Sequence, residues 1–125
     1  MEELTTFFFD TYAFFEIING NVNYEKYSKG VAIITTKLNL MELHYGLLLK
    51  YGGEKANFFY DEFVKFAVDI TDEIIKEANE FKALMKKNKL SYVDCFGYVI
   101  SKSKHIKFLT GDKEFEGLDN VEFVK

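Results

Sequence analysis

Four acidic residues stand where charge is otherwise scarce. Asp10 is the only charged residue from Thr5 to Phe15, and Asp94 is the only one from Ser91 to Ser101. Glu42 lies in an apolar stretch, flanked at helical spacing by Leu38, Tyr45 and Leu49, with Gly46 one turn on leaving room beside it. Asp112 follows the apolar run that ends at Thr110. A buried carboxylate without a partner is costly, so each of these needs one. Arginine is absent, all 16 basic residues are lysines, and Lys113 is the nearest candidate cation. Four carboxylates meeting at one point would repel, and a hard divalent cation resolves that conflict. Mg²⁺ and Mn²⁺ prefer oxygen ligands and keep water able to attack a phosphodiester. The charge balance agrees: the chain has 20 acids and a net charge of −4, so without these four the acids equal the 16 lysines.

Each acid also has a local reading. Asp10 would serve as the N-cap of a following helix. Asn39-x-x-Glu42 and Ser91-x-x-Asp94 both have the pattern of a capping box. Asp112 would be a turn residue after Gly111. What favours chemistry is the shared location that the surrounding elements give them.

Leu4 to Phe9 reads as a strand, its three consecutive Phe buried on both faces. Thr11 to Asn19 reads as a short helix, Tyr24 to Lys29 as another closed by Gly30, and Val31 to Thr35 as a second strand. Lys37 to Tyr51 is a helix apolar almost all round, which predicts deep packing, and Gly52-Gly53 stops it. Glu54 to Phe66 reads as helix and Ala67 to Ile70 as a short strand. Thr71 to Lys89 opens on acids and closes on lysines, matching the helix dipole. Ser91 caps a helix running to about Lys104. Lys107 to Thr110 and Val121 to Val124 complete the strands, with Gly111 to Glu116 as the turn between. Strands alternating with helices predict an α/β fold with a mainly parallel sheet, whose sites lie beyond the carboxyl ends of the strands. Asp10 and Asp112 end strands at that edge, and Glu42 and Asp94 lie near the starts of helices leaving it.

The 125 residues are one domain's worth, 48% apolar and 29% charged, which excludes a disordered chain. The single cysteine, Cys95, excludes an intrachain disulfide and a zinc site built on cysteine pairs. The acidic opening Met1-Glu2-Glu3 is unlike a signal peptide, and no apolar run reaches membrane-span length, so a cytoplasmic protein is expected. The net charge has the wrong sign for bulk electrostatic binding of nucleic acid.

The pieces Phe9-Asp10-Thr11-Tyr12, Met41-Glu42-Leu43, Tyr92-Val93-Asp94 and Leu109-Thr110-Gly111-Asp112-Lys113-Glu114-Phe115 resemble, in order and spacing, the PIN-domain ribonuclease family, most closely its small VapC-type toxins. The resemblance spans the chain and implies a single PIN-like domain over 1–125, a three-layer α/β/α sandwich around a mainly parallel sheet. It further implies an acidic quartet, Asp10, Glu42, Asp94 and Asp112, that binds one or two Mg²⁺ or Mn²⁺ ions and cuts single-stranded RNA. Thr11 and Thr110 match supporting hydroxyl positions. Glu116 would be an accessory acid or a solvated turn residue. An antitoxin partner and a homodimer follow from the same resemblance, the latter also from apolar surface around Phe58, Phe59, Phe63 and the 74–85 stripe. Many relatives carry Arg where this chain has Gly111, and some serve RNA maturation rather than toxicity.

Other residues carry less. His44 falls in an apolar helical stripe and reads as a core or interface histidine. His105 and the cluster Lys102, Lys104 and Lys107 read as solvated, the lysines alternatively as a phosphate-guiding patch. Cys95 reads as a small buried side chain. A non-enzymatic binding module would use exposed aromatics such as those of Asn57-Phe58-Phe59-Tyr60. A receiver-like phosphoacceptor domain wants two acids after the first strand, where this chain has Asp10 followed by Thr11 and Tyr12.

Overall fold

The computed structural model describes residues 4–125, so the acidic opening Met1-Glu2-Glu3 lies outside the described residues. Four strands, β1 (Thr5–Phe9), β2 (Val31–Ile34), β3 (Lys107–Thr110) and β4 (Val121–Phe123), form one sheet in the order β2-β1-β3-β4. Every pairing is parallel, with Phe7 opposite both Ile33 and Lys107 and Thr110 opposite Phe123. Parallel neighbours need crossovers, and five helices supply them: α1 (Thr11–Ile18), α2 (Lys37–Tyr51), α3 (Gly53–Phe63), α4 (Asp72–Leu84) and α5 (Tyr92–Ser103).

The alternation of β1 divides the core. Phe7 and Phe9 face one cluster with Ala13 and Phe14 of α1, Leu40, Leu43 and Leu47 of α2, and Ala56 of α3. Phe8 faces the other, with Ile74 and Ala78 of α4 and Tyr98, Val99 and Ile100 of α5. The result is the expected three-layer sandwich. Burying each of these phenylalanines is worth about 1.5–3 kcal/mol, enough to fix the strand register. Helix α5 sits hard on the sheet because Gly97 has no side chain: a Cβ there would lie 2.6 Å from the Phe8 ring and 2.9 Å from that of Phe108.

Several expectations are corrected. Ala67 to Ile70 is not a strand. Only Ala67 bridges to Thr35, whose carbonyl accepts the Val68 N–H at 2.9 Å, before the chain leaves the sheet edge. Helix α2 is not deeply packed all round. Its inner row of Leu40, Leu43 and Leu47 is buried, but Met41, Tyr45 and Leu49 are 56%, 63% and 70% exposed, because α1 and α3 cover only part of it. The room beside Gly46 is not open either, since the Phe15 ring of α1 fills it.

The segment Tyr24 to Lys29 is a 3₁₀ turn over Val22–Tyr27, and the helix expected to reach Lys89 ends at Leu84 with Met85 as its cap. Of the apolar surface expected around α3 and α4, Phe59 and Phe63 pack on the core, while Phe58, Ile75 and Leu84 remain exposed. No described helix is long and apolar enough to cross a membrane.

Candidate functional site

The site grows from the ends of two adjacent strands. Where β1 ends, Asp10 turns the chain into α1 and caps it, Oδ1 accepting from the Thr11 N–H at 2.9 Å. Its other oxygen accepts from the Thr110 hydroxyl at the end of β3, at 2.7 Å. The Thr110 oxygen in turn accepts the Asp112 N–H at 3.1 Å, and Asp112 caps the 3₁₀ turn Lys113–Phe115 by accepting from the Glu114 N–H at 3.0 Å. Glu42, in the second turn of α2, accepts from the Thr11 hydroxyl at 2.8 Å. Asp94 closes a capping box at the start of α5, its carboxylate accepting from the Ser91 N–H at 2.9 Å.

The local readings of Asp10 and Asp94 as helix caps and of Asp112 as a turn residue therefore hold. The one for Glu42 does not. Thr36 is the cap of α2 and Asn39 takes the third helical position, which leaves Glu42 free of the helix end.

The four acids feel one another. Asp10, 3% exposed, is pushed up from 3.8 to about 7, first by burial and next by the charge of Asp94, with a smaller push from Glu42. The bonds from Thr110 and Thr11 oppose that rise and do not cancel it. Asp94 is also raised, first by burial, against the Ser91 bonds, with Asp112 and Glu42 adding repulsion. Among the described residues the only ion pair is Lys102 with Asp119 at 3.0 Å, so none of the four has a lysine partner there. One buried and three half-buried carboxylates that repel one another, with no lysine paired to them among the described residues, have the donor chemistry a hard divalent ion prefers.

Among the described residues, no group of three or more His, Cys, Asp or Glu side chains is already arranged to hold a metal. Each of the four accepts a hydrogen bond from a donor beside it. The donor chemistry fits such an ion, because each carboxylate keeps lone pairs beyond those its hydrogen bonds use.

Glu116 is exposed and is not among the charges that move Asp10 or Asp94. His44 is held by Asn57, its Nε2 2.7 Å from Oδ1, and meets the edge of the Tyr60 ring. Cys95 is buried and its thiol is pushed up to about 11 by burial, so it supplies no thiolate near neutral pH. Lys102 is committed to Asp119, while Lys104, His105 and Lys107 are exposed.

Sequence reasoning missed Thr36 and Asn39, both wholly buried beside Thr11 and Glu42. The available signal was two neutral polar residues at cap spacing, Thr36-x-x-Asn39, just before an acid in an otherwise apolar helix.

Gly111 has a packing reason. A Cβ there would run into the Val124 carbonyl oxygen and the Tyr12 ring, so the position holds no arginine unless the chain after β4 moves. Gly111→Ala is expected to lower stability by about 2–3 kcal/mol in urea unfolding. An unchanged midpoint would mean that the chain beyond β4 yields freely.

The sequence matches the family described as PIN domain over residues 7–121. A comparison with curated proteins finds no match. Among solved structures, the fold is shared with VapC20 of Mycobacterium tuberculosis, a sarcin–ricin-loop-cleaving toxin, at TM-score 0.78 and 19% identity, covering 95% of this chain and 99% of that one. It is shared with DNA-bound VapBC of Salmonella typhimurium at TM-score 0.71 and 18% identity, covering 96% and 97%. A toxin–antitoxin complex from Klebsiella pneumoniae superposes at TM-score 0.69 and 16% identity, covering 91% and 93%.

Proposed function

The chain belongs to the PIN-domain family, and from that premise we propose that it is a metal-dependent endoribonuclease cutting single-stranded RNA, the toxin of a VapBC-type toxin–antitoxin pair. One observation carries the reading: buried Asp10, at the end of β1, is joined through Thr11 to Glu42 and through Thr110 to the end of β3, with no lysine paired to it among the described residues. Asp10, Glu42, Asp94 and Asp112 would hold Mg²⁺ or Mn²⁺. The bound ion supplies an activated water and neutralises charge developing on the phosphate. Thr110 and Thr11 orient Asp10 and Glu42 through their hydroxyls. The products would carry 5′-phosphate and 3′-hydroxyl ends. Without arginine, the grip on the RNA backbone falls to lysines, which lack the bidentate phosphate contact.

The proposal includes one domain over residues 1–125, a cytoplasmic location, an antitoxin protein and a second copy as partners. The support for the antitoxin is the fold shared with solved VapBC assemblies. The support for the dimer is apolar surface left exposed on α2, α3 and α4.

The test is cleavage of labelled single-stranded RNA beside duplex DNA. Mn²⁺ or Mg²⁺ is expected to support RNA cleavage, EDTA to abolish it, Ca²⁺ to support it poorly, and duplex DNA to survive. Cleavage that persists in EDTA would sink the metal mechanism.

A further inference from the structure

A chain of buried polar groups reaches the acidic site from behind. Asn39 is 0% exposed and lies one helical turn before Glu42. Its Oδ1 accepts from the Thr36 hydroxyl at 2.6 Å, and its Nδ2 donates to the Thr11 oxygen at 3.2 Å. Thr11 then donates its hydroxyl proton to Glu42 at 2.8 Å and its N–H to Asp10 at 2.9 Å. One threonine thus ties two of the four carboxylates together, and one asparagine holds that threonine.

The proton count fixes the direction of this chain. Thr11 gives its single hydroxyl hydrogen to the Glu42 Oε1, the shorter of its two contacts. Thr11 is then left with lone pairs, and Asn39 fills one with an amide hydrogen. The Asn39 oxygen must therefore face Thr36, whose own oxygen already accepts the Asn39 N–H at 3.2 Å and whose hydrogen is free to be given. The nearest other taker for the Thr11 proton is the Asn39 carbonyl, which at 3.3 Å is the longer contact. Reversing any member would point two donors or two acceptors at each other in a buried place.

We propose that Asn39 is a positioning residue of the acidic site, holding the Thr11 hydroxyl as a fixed donor to Glu42 and so keeping Glu42 and Asp10 in register for a divalent ion. This rests on the metal-dependent reading above. It assigns Asn39 no contact with RNA or metal, and its effect passes entirely through Thr11.

The test is Mn²⁺ affinity of the RNA-free protein, from the electron paramagnetic resonance signal of unbound Mn²⁺. Wild type, Asn39→Leu, Thr11→Val and the double variant would be compared, each checked by circular dichroism. Groups that orient metal ligands typically account for 10–100-fold in affinity. Asn39→Leu is expected to weaken Mn²⁺ binding roughly 10-fold, Thr11→Val by a similar factor, and the double variant no further, because both cut the same chain. The RNA KM should change less than kcat. A purely structural asparagine would lower the melting temperature and leave the Mn²⁺ affinity of the folded protein alone.

Asn39→Ser can still meet Thr36 but is too short to reach Thr11, so it should weaken Mn²⁺ binding as Asn39→Leu does. In wild type, the Asn39 side-chain amide resonances should shift on addition of Mg²⁺. Wild-type affinity in either Asn39 variant, multiplying effects in the double variant, or amide resonances unmoved by bound Mg²⁺ would each overturn the role of Asn39. A wild-type protein that binds neither ion would overturn the metal reading itself.

Discussion

Asp10→Asn is expected to give a protein that melts higher than wild type at pH 8 without metal, yet cuts RNA slower by orders of magnitude. The folded state bears the ionised Asp10 at a cost, since its carboxyl titrates at about 7 in place of 3.8. That difference corresponds to at most about 4 kcal/mol when the group is ionised. Asparagine removes the charge. Its oxygen still caps α1, and its amide can donate to the Thr110 oxygen once that hydroxyl turns. Allowing for an imperfect exchange of hydrogen bonds, the net gain is about 1–3 kcal/mol, or roughly 3–6 °C for each kcal/mol at this chain length. Mn²⁺ should raise the wild-type melting temperature and leave that of the variant nearly unmoved. Retained cleavage in the variant would remove Asp10 from the site. A lower metal-free melting temperature at pH 8 would show that the two hydrogen bonds to Asp10 outweigh the burial of its charge.

Metal-free wild type should lose stability as pH rises from about 4 to about 7. The sign follows from Asp10. Unfolded, it releases its proton near 3.8, while folded it holds on until about 7. Across that window the folded state binds more protons, so each step up in pH favours unfolding, and the loss is complete above 7. Asp94, raised for the same leading reason, adds to the slope. Urea midpoints in EDTA should therefore be lower at pH 8 than at pH 5.5. Mn²⁺ at a hundred times its Kd should restore about 2.7 kcal/mol at pH 8, where the carboxylates are free to bind it. The same comparison in Asp10→Asn should show a flatter profile. A wild-type midpoint in EDTA that is level or rising between these pH values, and unaltered by Asp10→Asn, would mean that the burial of Asp10 is relieved by solvent.

Much of this was legible in the sequence because it is written locally. Phe7, Phe8 and Phe9 announce a strand buried on both sides, and the structure divides them between two cores as alternation requires. A lone acid at the end of an apolar run marks the exit from a parallel strand, as at Asp10 and Asp112. What was not legible depends on distant partners. Asn39 is separated by 28 residues from the Thr11 hydroxyl that gives it meaning, and its spacing to Glu42 imitated a cap that Thr36 in fact provides. The outer face of α2 has the same apolar residues as its inner face, and only the placement of α1 and α3 decides which is covered. Ala67 to Ile70 has strand-like composition, but a single bridge to Thr35 is all the sheet edge offers it.

The central pairing of the sheet also sets a schedule for synthesis. Strand β1 is made first, yet its neighbour β3 and the Thr110 hydroxyl that Asp10 requires arrive a hundred residues later. At about 5–20 residues per second, a ribosome takes roughly 5–20 s to make that interval. Until then Asp10 has no Thr110, Asp112 does not exist, and the sheet has only its β1–β2 half. A nascent chain therefore carries no assembled acidic site until β3 and Asp112 have emerged. If the finished molecule cuts RNA, each copy stays inert toward its own messenger until those strands have emerged and paired.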